Sequence, residues 1–453
     1  MTYRQLALLV VVLCTFQYSF SQEKLFDCEI AQRRSYQFHH IQDRAINRSY
    51  MLLVSYDQVE VVVLDSVMKK VGQRSYKIGL KEEKHYLTEP LGFTAENGLV
   101  YGFYSNHDLT ILGFLEFNLR SRRGVRKGQL PLDFSKKDEY LFHYIDDGTF
   151  YVASSTKKTS VMKVYTVFSP KNIRRSLFRV DVYRDLHEMF KTFSEPKNMD
   201  VGVVLGEAGL NITSRKIKAY PEGEMLRITF ETINGTEIID LDLAEETYTD
   251  DIIHYRKFKK KGKTNNSNSF LMNDLHFLAR SSGEEIFIYA ERKGVNQTLF
   301  SGRFNREDKD ISFANLVDGS KIRTSSRFYR TNPKDFIRDI NDGNIGIGVE
   351  ALDTAYLITV GNFKEDTNPL TNPYGSNISG KNRGESSFFQ ILLAQDFEFI
   401  PAEIESQTDE KLESLFEEKE IKAKYVYNFE SGNSKYVFFQ DKKEKLFSLY
   451  KLD

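Results

Sequence analysis

The sequence predicts an all-β protein, and within that class a β-propeller best counted as seven blades, with six or eight as the alternatives. Three observations carry this reading. Strand triplets joined by short Gly-containing or charged turns recur: LHFLAR (275–280), IFIYAE (286–291) and QTLFSGRF (297–304) form one unit. EYLFHYI (139–145), TFYVAS (149–154) and SVMKVYTVF (160–168) form another, and KYVYNFE (424–430), KYVFFQD (435–441) and KLFSLYKL (445–452) a third. Equivalent positions near 141, 277 and 425 lie 136 and 148 residues apart, about three units of 45–50 residues each, a period that marks a repeat array. Finally, 35 Phe and 25 Tyr with no Trp suit half-buried strands. The competing arrangement is a pair of β-sandwiches joined by a linker.

Taken in order along the chain, each element has its own justification. Residues 1–21 read as a secretory signal peptide. Arg4 precedes an apolar run, Leu6 to Phe16, that is too short to span a bilayer, and Ser19-Phe20-Ser21 supplies small residues before a cut at Gln22. Residues 22–453 are then one domain, closed by pairing an N-terminal strand, SYQFHHI (35–41), into the last blade. Weaker copies of the repeat begin near Tyr50 and at Gly98, and cover 199–243 and 344–400. Leu226, Ile228 and Phe230 alternate with period two, the sign of a strand with one face in the core.

Three helical patterns interrupt the strands. Leu186, Met189, Phe190 and Phe193 recur at i, i+3, i+4 and i+7. Asn332-Pro333 caps and opens a second helix with Phe336, Ile337 and Ile340 on its apolar side. A third starts from Thr408 and carries Leu412, Leu415 and Phe416.

The missing Gly-His…Trp-Asp signature and the absent Trp exclude a standard WD repeat. Over roughly residues 30–453 the chain resembles secreted β-propeller repeat proteins of Bacteroidetes type, without matching a named family. The Ser-Phe-Ser cut that leaves Gln first, and the Lys/Ile/Phe/Tyr/Asn-rich style, carry that resemblance. It implies a periplasmic or cell-surface location in a bacterium, or an extracellular one otherwise. It also implies O-glycosylation signals at Asp65-Ser66-Val67 and Asp353-Thr354-Ala355. In a eukaryotic host the sequons at Asn47, Asn211, Asn234, Asn265, Asn296 and Asn377 would be read instead.

A formal charge of −1 removes any bulk electrostatic drive toward nucleic acid or an anionic membrane. No later stretch holds 18 consecutive apolar residues, so no transmembrane segment is expected. Of the two cysteines, Cys14 leaves with the leader, and Cys28 alone cannot form an internal disulfide.

Two stretches are candidates for contact with a partner. KEDTNPLTNPYGSNISGKNRGESS (364–387) is the longest structureless run, interrupted by Pro369, Pro373, Gly375, Gly380 and Gly384. Within it Tyr374, Asn377, Lys381 and Arg383 could offer an aromatic platform with polar groups for a sugar or a protein loop. Arg256, Lys257, Lys259, Lys260, Lys261 and Lys263 form a cationic patch suited to an anionic partner, or a solvated turn between blades.

Chemistry-bearing motifs are sparse. Asp339, Asn341, Asp342 and Glu350 approximate a calcium loop, but Gly343 stands where a ligand is required and Asn344 where the sharp-turn Gly belongs, so no metal is assigned. His39 and His40 point to opposite faces of a strand, and the default role of all eight histidines is structural. Asp146-Asp147-Gly148 and Asp318-Gly319 read as turns. No Gly-x-Ser-x-Gly elbow or phosphate-binding loop is present, no cofactor is expected, and the balance leans away from an enzyme. The expected function is an exported binding or scaffold protein of the cell envelope that recognises a protein or glycan. The alternative is a carbohydrate-active hydrolase or lyase using carboxylates at the propeller channel, a set that spacing cannot reveal.

Overall fold

In the computed structural model, the described residues are 23–30, 37–78 (except 56), 89–180 (except 107–108 and 121–123), 186–193, 201–255 (except 207 and 233), 266–305 (except 295–296), 315–319, 336–338, 340, 344–365, 384–400 (except 399), 415–416 and 421–452 (except 433 and 445). They form seven sheets, six of four strands and one of five. In chain order these cover residues 37–77, 89–129, 138–179, 201–254, 266–305, 315–394 and, for the seventh, 423–451 together with 23–28. Each repeat read from the sequence falls in one of the sheets. The first, second, third and fifth sheets are simple antiparallel meanders, the unit from which a propeller is built.

The turns explain why the chain doubles back so tightly. Asn97-Gly98 (φ 51° and 76°) and Asp147-Gly148 (φ 45° and 74°) both place two successive residues in the left-handed region. That is the two-residue hairpin geometry whose twist matches the flanking strands, and Asn or Asp followed by Gly adopts it at least cost. The turn expected at 146–148 is therefore present. Asp318-Gly319, by contrast, lies in the strand Asn315–Gly319 and pairs with Ser387 and Ser386.

Two compact units divide the chain. One comprises residues 1–76 and 405–453 and holds the first and seventh sheets. Its core joins Phe38, Met51, Leu53, Val62 and Leu64 to Tyr427, Tyr436, Phe438, Phe447 and Leu449. Phe38 stacks on Tyr427 with ring centroids 4.9 Å apart. The closing strand is Glu23–Cys28, which pairs antiparallel with Phe447–Lys451; the 35–41 segment instead supplies Gln37–Asp43, the first strand of its own sheet. Physically, a closing strand at a sheet edge needs little apolar content. Glu23–Cys28 is mostly exposed or half-buried, and only Cys28 is fully buried. Burial pushes the Cys28 thiol up to about 12. Ser448 Oγ donates to Asp27 Oδ1 at 2.6 Å, and Lys24 Nζ lies 2.8 Å from Asp27. Asp27→Ala is expected to lower unfolding stability by about 1 kcal/mol, measured by urea titration.

The second unit, residues 77–404, holds the other five sheets. The alternating Leu226, Ile228 and Phe230 are fully buried on Met225–Glu231, as their period requires. The first helical pattern is a helix, Leu186–Phe193, whose Leu186, Met189 and Phe190 enter the same core; the Phe190 and Phe230 rings meet edge-on at 5.1 Å. Of the second pattern, Phe336, Ile337 and Ile340 are helical and buried, and of the third Leu415 is buried, while Asn332, Pro333, Thr408 and Leu412 lie outside the described residues. In the sixth sheet one edge strand, Asn315–Gly319, precedes the other three in sequence and pairs with the last of them, Gly384–Ala394.

Candidate functional site

The polar groups that come together in the second unit do so where the fourth, fifth and sixth sheets adjoin. Ile217–Glu222 turns Ile217 and Ala219 into the core, so Lys218 points the other way. There the strand Asn266–Met272 of the next sheet covers it completely, leaving Lys218 0% exposed. Lys218 Nζ donates to Asn268 Oδ1, which also accepts the Ser269 amide at 2.9 Å. Asn268 Nδ2 donates to the Ile345 carbonyl at 2.8 Å and lies 3.3 Å from the Arg215 carbonyl. One asparagine thus ties three successive sheets through both ends of its amide. Lys216 Nζ reaches Asn266 Oδ1 at 2.8 Å beside it. Burial drives the Lys218 ammonium down to about 7, against the weaker upward pull of Glu231.

A second run of polar groups continues from Ser269. Tyr255 OH donates to Glu231 Oε1, and Ser269 Oγ donates to Glu231 Oε2 at 2.8 Å. Thr236 Oγ1 donates to Ser269 Oγ at 2.9 Å and lies 3.2 Å from His276 Nε2, while His276 Nδ1 lies 3.1 Å from Glu291 Oε1. Arg280 covers the Tyr255 ring with its guanidinium 5.4 Å from the centroid. Burial, with Glu231 beside it, holds the Tyr255 phenol well above its ordinary value.

Thr236, His276 and Glu291 have the hydroxyl–imidazole–carboxylate order of a nucleophilic triad. A second such set joins the helix to the third sheet: Ser155 Oγ lies 2.9 Å from His187 Nδ1, and His187 Nε2 lies 3.3 Å from Glu139. In both sets the hydroxyl is sealed, with Thr236 and Ser155 each 0% exposed, so no external acyl group reaches either oxygen in this conformation. What the geometry supplies is cross-linking between neighbouring elements through buried hydroxyl and imidazole groups. Thr236→Val, which keeps the shape and deletes the shared hydroxyl, is expected to cost about 2 kcal/mol in urea unfolding.

Tyr374, Asn377, Lys381 and Arg383, and the cationic Arg256, Lys257, Lys259, Lys260, Lys261 and Lys263, all lie outside the described residues. So do Asp339, Asn341 and Asp342 of the approximate calcium loop, while Glu350 is half-buried on Asn344–Ala351. Among the described residues no group of three His, Cys, Asp or Glu side chains is placed to hold a metal ion. The 364–387 run is shorter than the sequence indicates. Lys364 and Glu365 continue one strand, Gly384 and Glu385 begin the next, and Glu365 pairs directly with Gly384.

Seven sheets of this pattern, antiparallel except where Val201–Val203 pairs parallel to Ile217–Glu222, define the class: an all-β, propeller-type repeat protein. No protein-family profile matches the chain, and none of the curated proteins matches it. Among solved structures it is similar to the β-propeller domain of Nup133 from Vanderwaltozyma polyspora. That match has 10% identity and a TM-score of 0.35 over 95% of this chain and 97% of that one. It is also similar to a Trp149Ala mutant of the Synechocystis apocarotenoid oxygenase, with 8% identity and a TM-score of 0.30 over 61% of this chain. The match spans 63% of the length of that oxygenase. A prolyl endopeptidase matches at 9% identity and a TM-score of 0.33 over 90% of this chain and 46% of the peptidase. The fold assignment rests on the sheets themselves.

Proposed function

We propose that the protein is an exported propeller scaffold of the cell envelope that binds a protein or a glycan through residues 366–383. The observation that carries this reading is the base of that stretch. Glu365 and Gly384 are partners in one ladder, so the chain leaves the sixth sheet and returns to it across a single rung. A tight turn would serve the fold equally well, and long excursions on rigid frames are where binding residues concentrate. Tyr374, Asn377, Lys381 and Arg383 are the contact residues of this proposal. The leader at residues 1–21 supports export, and the sealed hydroxyls of Thr236 and Ser155 favour binding over catalysis.

The test is affinity capture from native envelope extract with the chain from Gln22 and with a variant whose residues 366–383 are replaced by Asn-Gly. A protein or glycan held by the first and lost by the second supports the proposal. Equal retention removes the role of the stretch. No retention by either overturns the binding reading and directs attention to glycan hydrolysis.

A further inference from the structure

The outermost strand of the fourth sheet, Thr247–His254 (TYTDDIIH), differs from the corresponding edges of the first three sheets. Among the described residues it pairs on one side only, with Gly235–Asp242, and six of its eight residues are exposed. Natural sheets commonly block such edges with cations. Here Lys70–Lys77 carries Lys70, Arg74 and Lys77, Arg126–Gln129 carries Arg126 and Lys127, and Asn172–Arg179 carries Arg174, Arg175 and Arg179. Thr247–His254 carries no Lys or Arg, and its centre is Asp250-Asp251. Asp251 shares Lys293 with Asp240, both at 3.7 Å, and no described cation pairs with Asp250. Glu245 and Glu246 precede the strand, and Ile252 beside the aspartates is 37% exposed.

Tyr248 and Ile253 pack against the core and hold the strand flat in the sheet, so its outer row of N–H and C=O groups is presented as a template, in which the Ile252 N–H is held by Asp251 Oδ1 at 2.8 Å until a partner strand replaces that contact. The charge then decides what can use it. A second copy adding antiparallel, centre to centre, would set Asp250 opposite Asp251, and like charges directly opposite destabilise a strand pair. An extended segment bearing Lys or Arg at those positions gains the ladder and the ion pairs together.

We propose that the outer edge of Thr247–His254 is a docking site for an extended, cationic segment of a partner protein, bound by strand addition. Ladder hydrogen bonds supply affinity, Asp250 and Asp251 select cations on the two faces, and Ile252 takes an apolar neighbour. The proposal invokes no residue of 366–383, so the variant that replaces that stretch is expected to bind the probe as the wild type does.

The probe is a synthetic octapeptide, Thr-Val-Thr-Lys-Lys-Thr-Val-Thr, whose adjacent central lysines fall on opposite faces of a strand, followed by fluorescence anisotropy and by backbone hydrogen exchange of the full chain from Gln22. Binding is expected with slowed exchange confined to 247–254. Asp250→Lys/Asp251→Lys is expected to weaken it about tenfold or more, from two pairs turned from attraction to repulsion. Asp250→Asn/Asp251→Asn is expected to lie between, and because both side chains are exposed, each variant retains the fold. A peptide of equal charge with proline at its centre is expected not to bind, because proline cannot complete a ladder. Equal binding of the proline peptide, protection elsewhere, or affinity unchanged in the Lys variant overturns the proposal. So does dimerisation of the wild-type chain that the Lys variant abolishes, which would assign the edge to a second copy.

Discussion

Between pH 6.5 and pH 4 the protein is expected to lose most of its folding stability, because three histidines are held neutral by the fold. Burial pushes His39 down to about 3 and both His40 and His143 down to about 4, from an ordinary 6.5. His40 stacks on Phe429 at 4.3 Å and its Nε2 is buried without a partner. His143 Nδ1 faces the Tyr140 hydroxyl. In this range the unfolded chain binds more protons than the folded one, so the histidine contribution to stability is complete well above pH 6.5 and is lost as the pH drops. Each group costs about 1.4 kcal/mol in the first unit below 6.5, so the three together cost about 4 kcal/mol by pH 5.5, a large share of a typical domain's stability. Urea midpoints taken from pH 8 to pH 4.5 are the measurement. His40→Phe, which preserves the stack, is expected to remove about a third of the slope. A midpoint that stays flat to pH 5 would contradict the burial of these rings.

Lys218→Met is expected to stabilise the protein by a few kcal/mol at pH 6 and to abolish a stability gradient on the alkaline side. With its folded value near 7 and the unfolded one at 10.5, Lys218 makes the unfolded chain the better proton binder across that window. The wild-type protein therefore gains stability as the pH rises above 7, at about 1.4 kcal/mol per unit at most. The gain is best read between pH 6 and 9. Above that, Tyr104 and Tyr144, whose phenols burial holds well above their ordinary value, reverse the trend as the unfolded chain's tyrosines ionise. Methionine fills the lysine's volume without a charge, and replacing a buried ion by an apolar isostere is often stabilising. Asn268 keeps its bonds to Ser269, Ile345 and Arg215 in that variant, so the junction of three sheets survives. A loss of stability at pH 6 would mean that Lys218 acts mainly through its hydrogen bond to Asn268.

Much of the framework was legible because strand and helix periods are local. Leu226, Ile228 and Phe230, the Leu186–Phe193 face, and the Asp147-Gly148 turn all sit within a few residues of what determines them. The closing strand was not, since an edge strand with one buried residue resembles any polar stretch, and SYQFHHI carries the stronger pattern. Asp318-Gly319 misled for the opposite reason: a turn dipeptide was overridden by pairing with residues almost seventy positions later. The Asn268 junction and the Glu231–Ser269–Thr236–His276 run were invisible because each member lies on a different strand and no spacing relates them. Lys218 carried the one available signal, a lysine alternating with Ile217 and Ala219 in a strand, yet that pattern ordinarily denotes a solvent face.

The pairing of Glu23–Cys28 with Phe447–Lys451 also sets a timetable. Ser448 and Asp27 are 421 residues apart, so the rung that joins them cannot form until nearly the whole chain has been made or delivered. A chain emerging N-terminus first keeps its opening strand unpaired for that entire interval, with the loop-closure entropy still to be met. The seventh sheet is then the slowest to complete and the one most exposed to wrong pairing with other chains. The same adjacency brings the chain's two ends into one ladder. A permuted chain that links residue 453 to residue 22 and opens within 366–383 would turn this last, long-range step into a local hairpin.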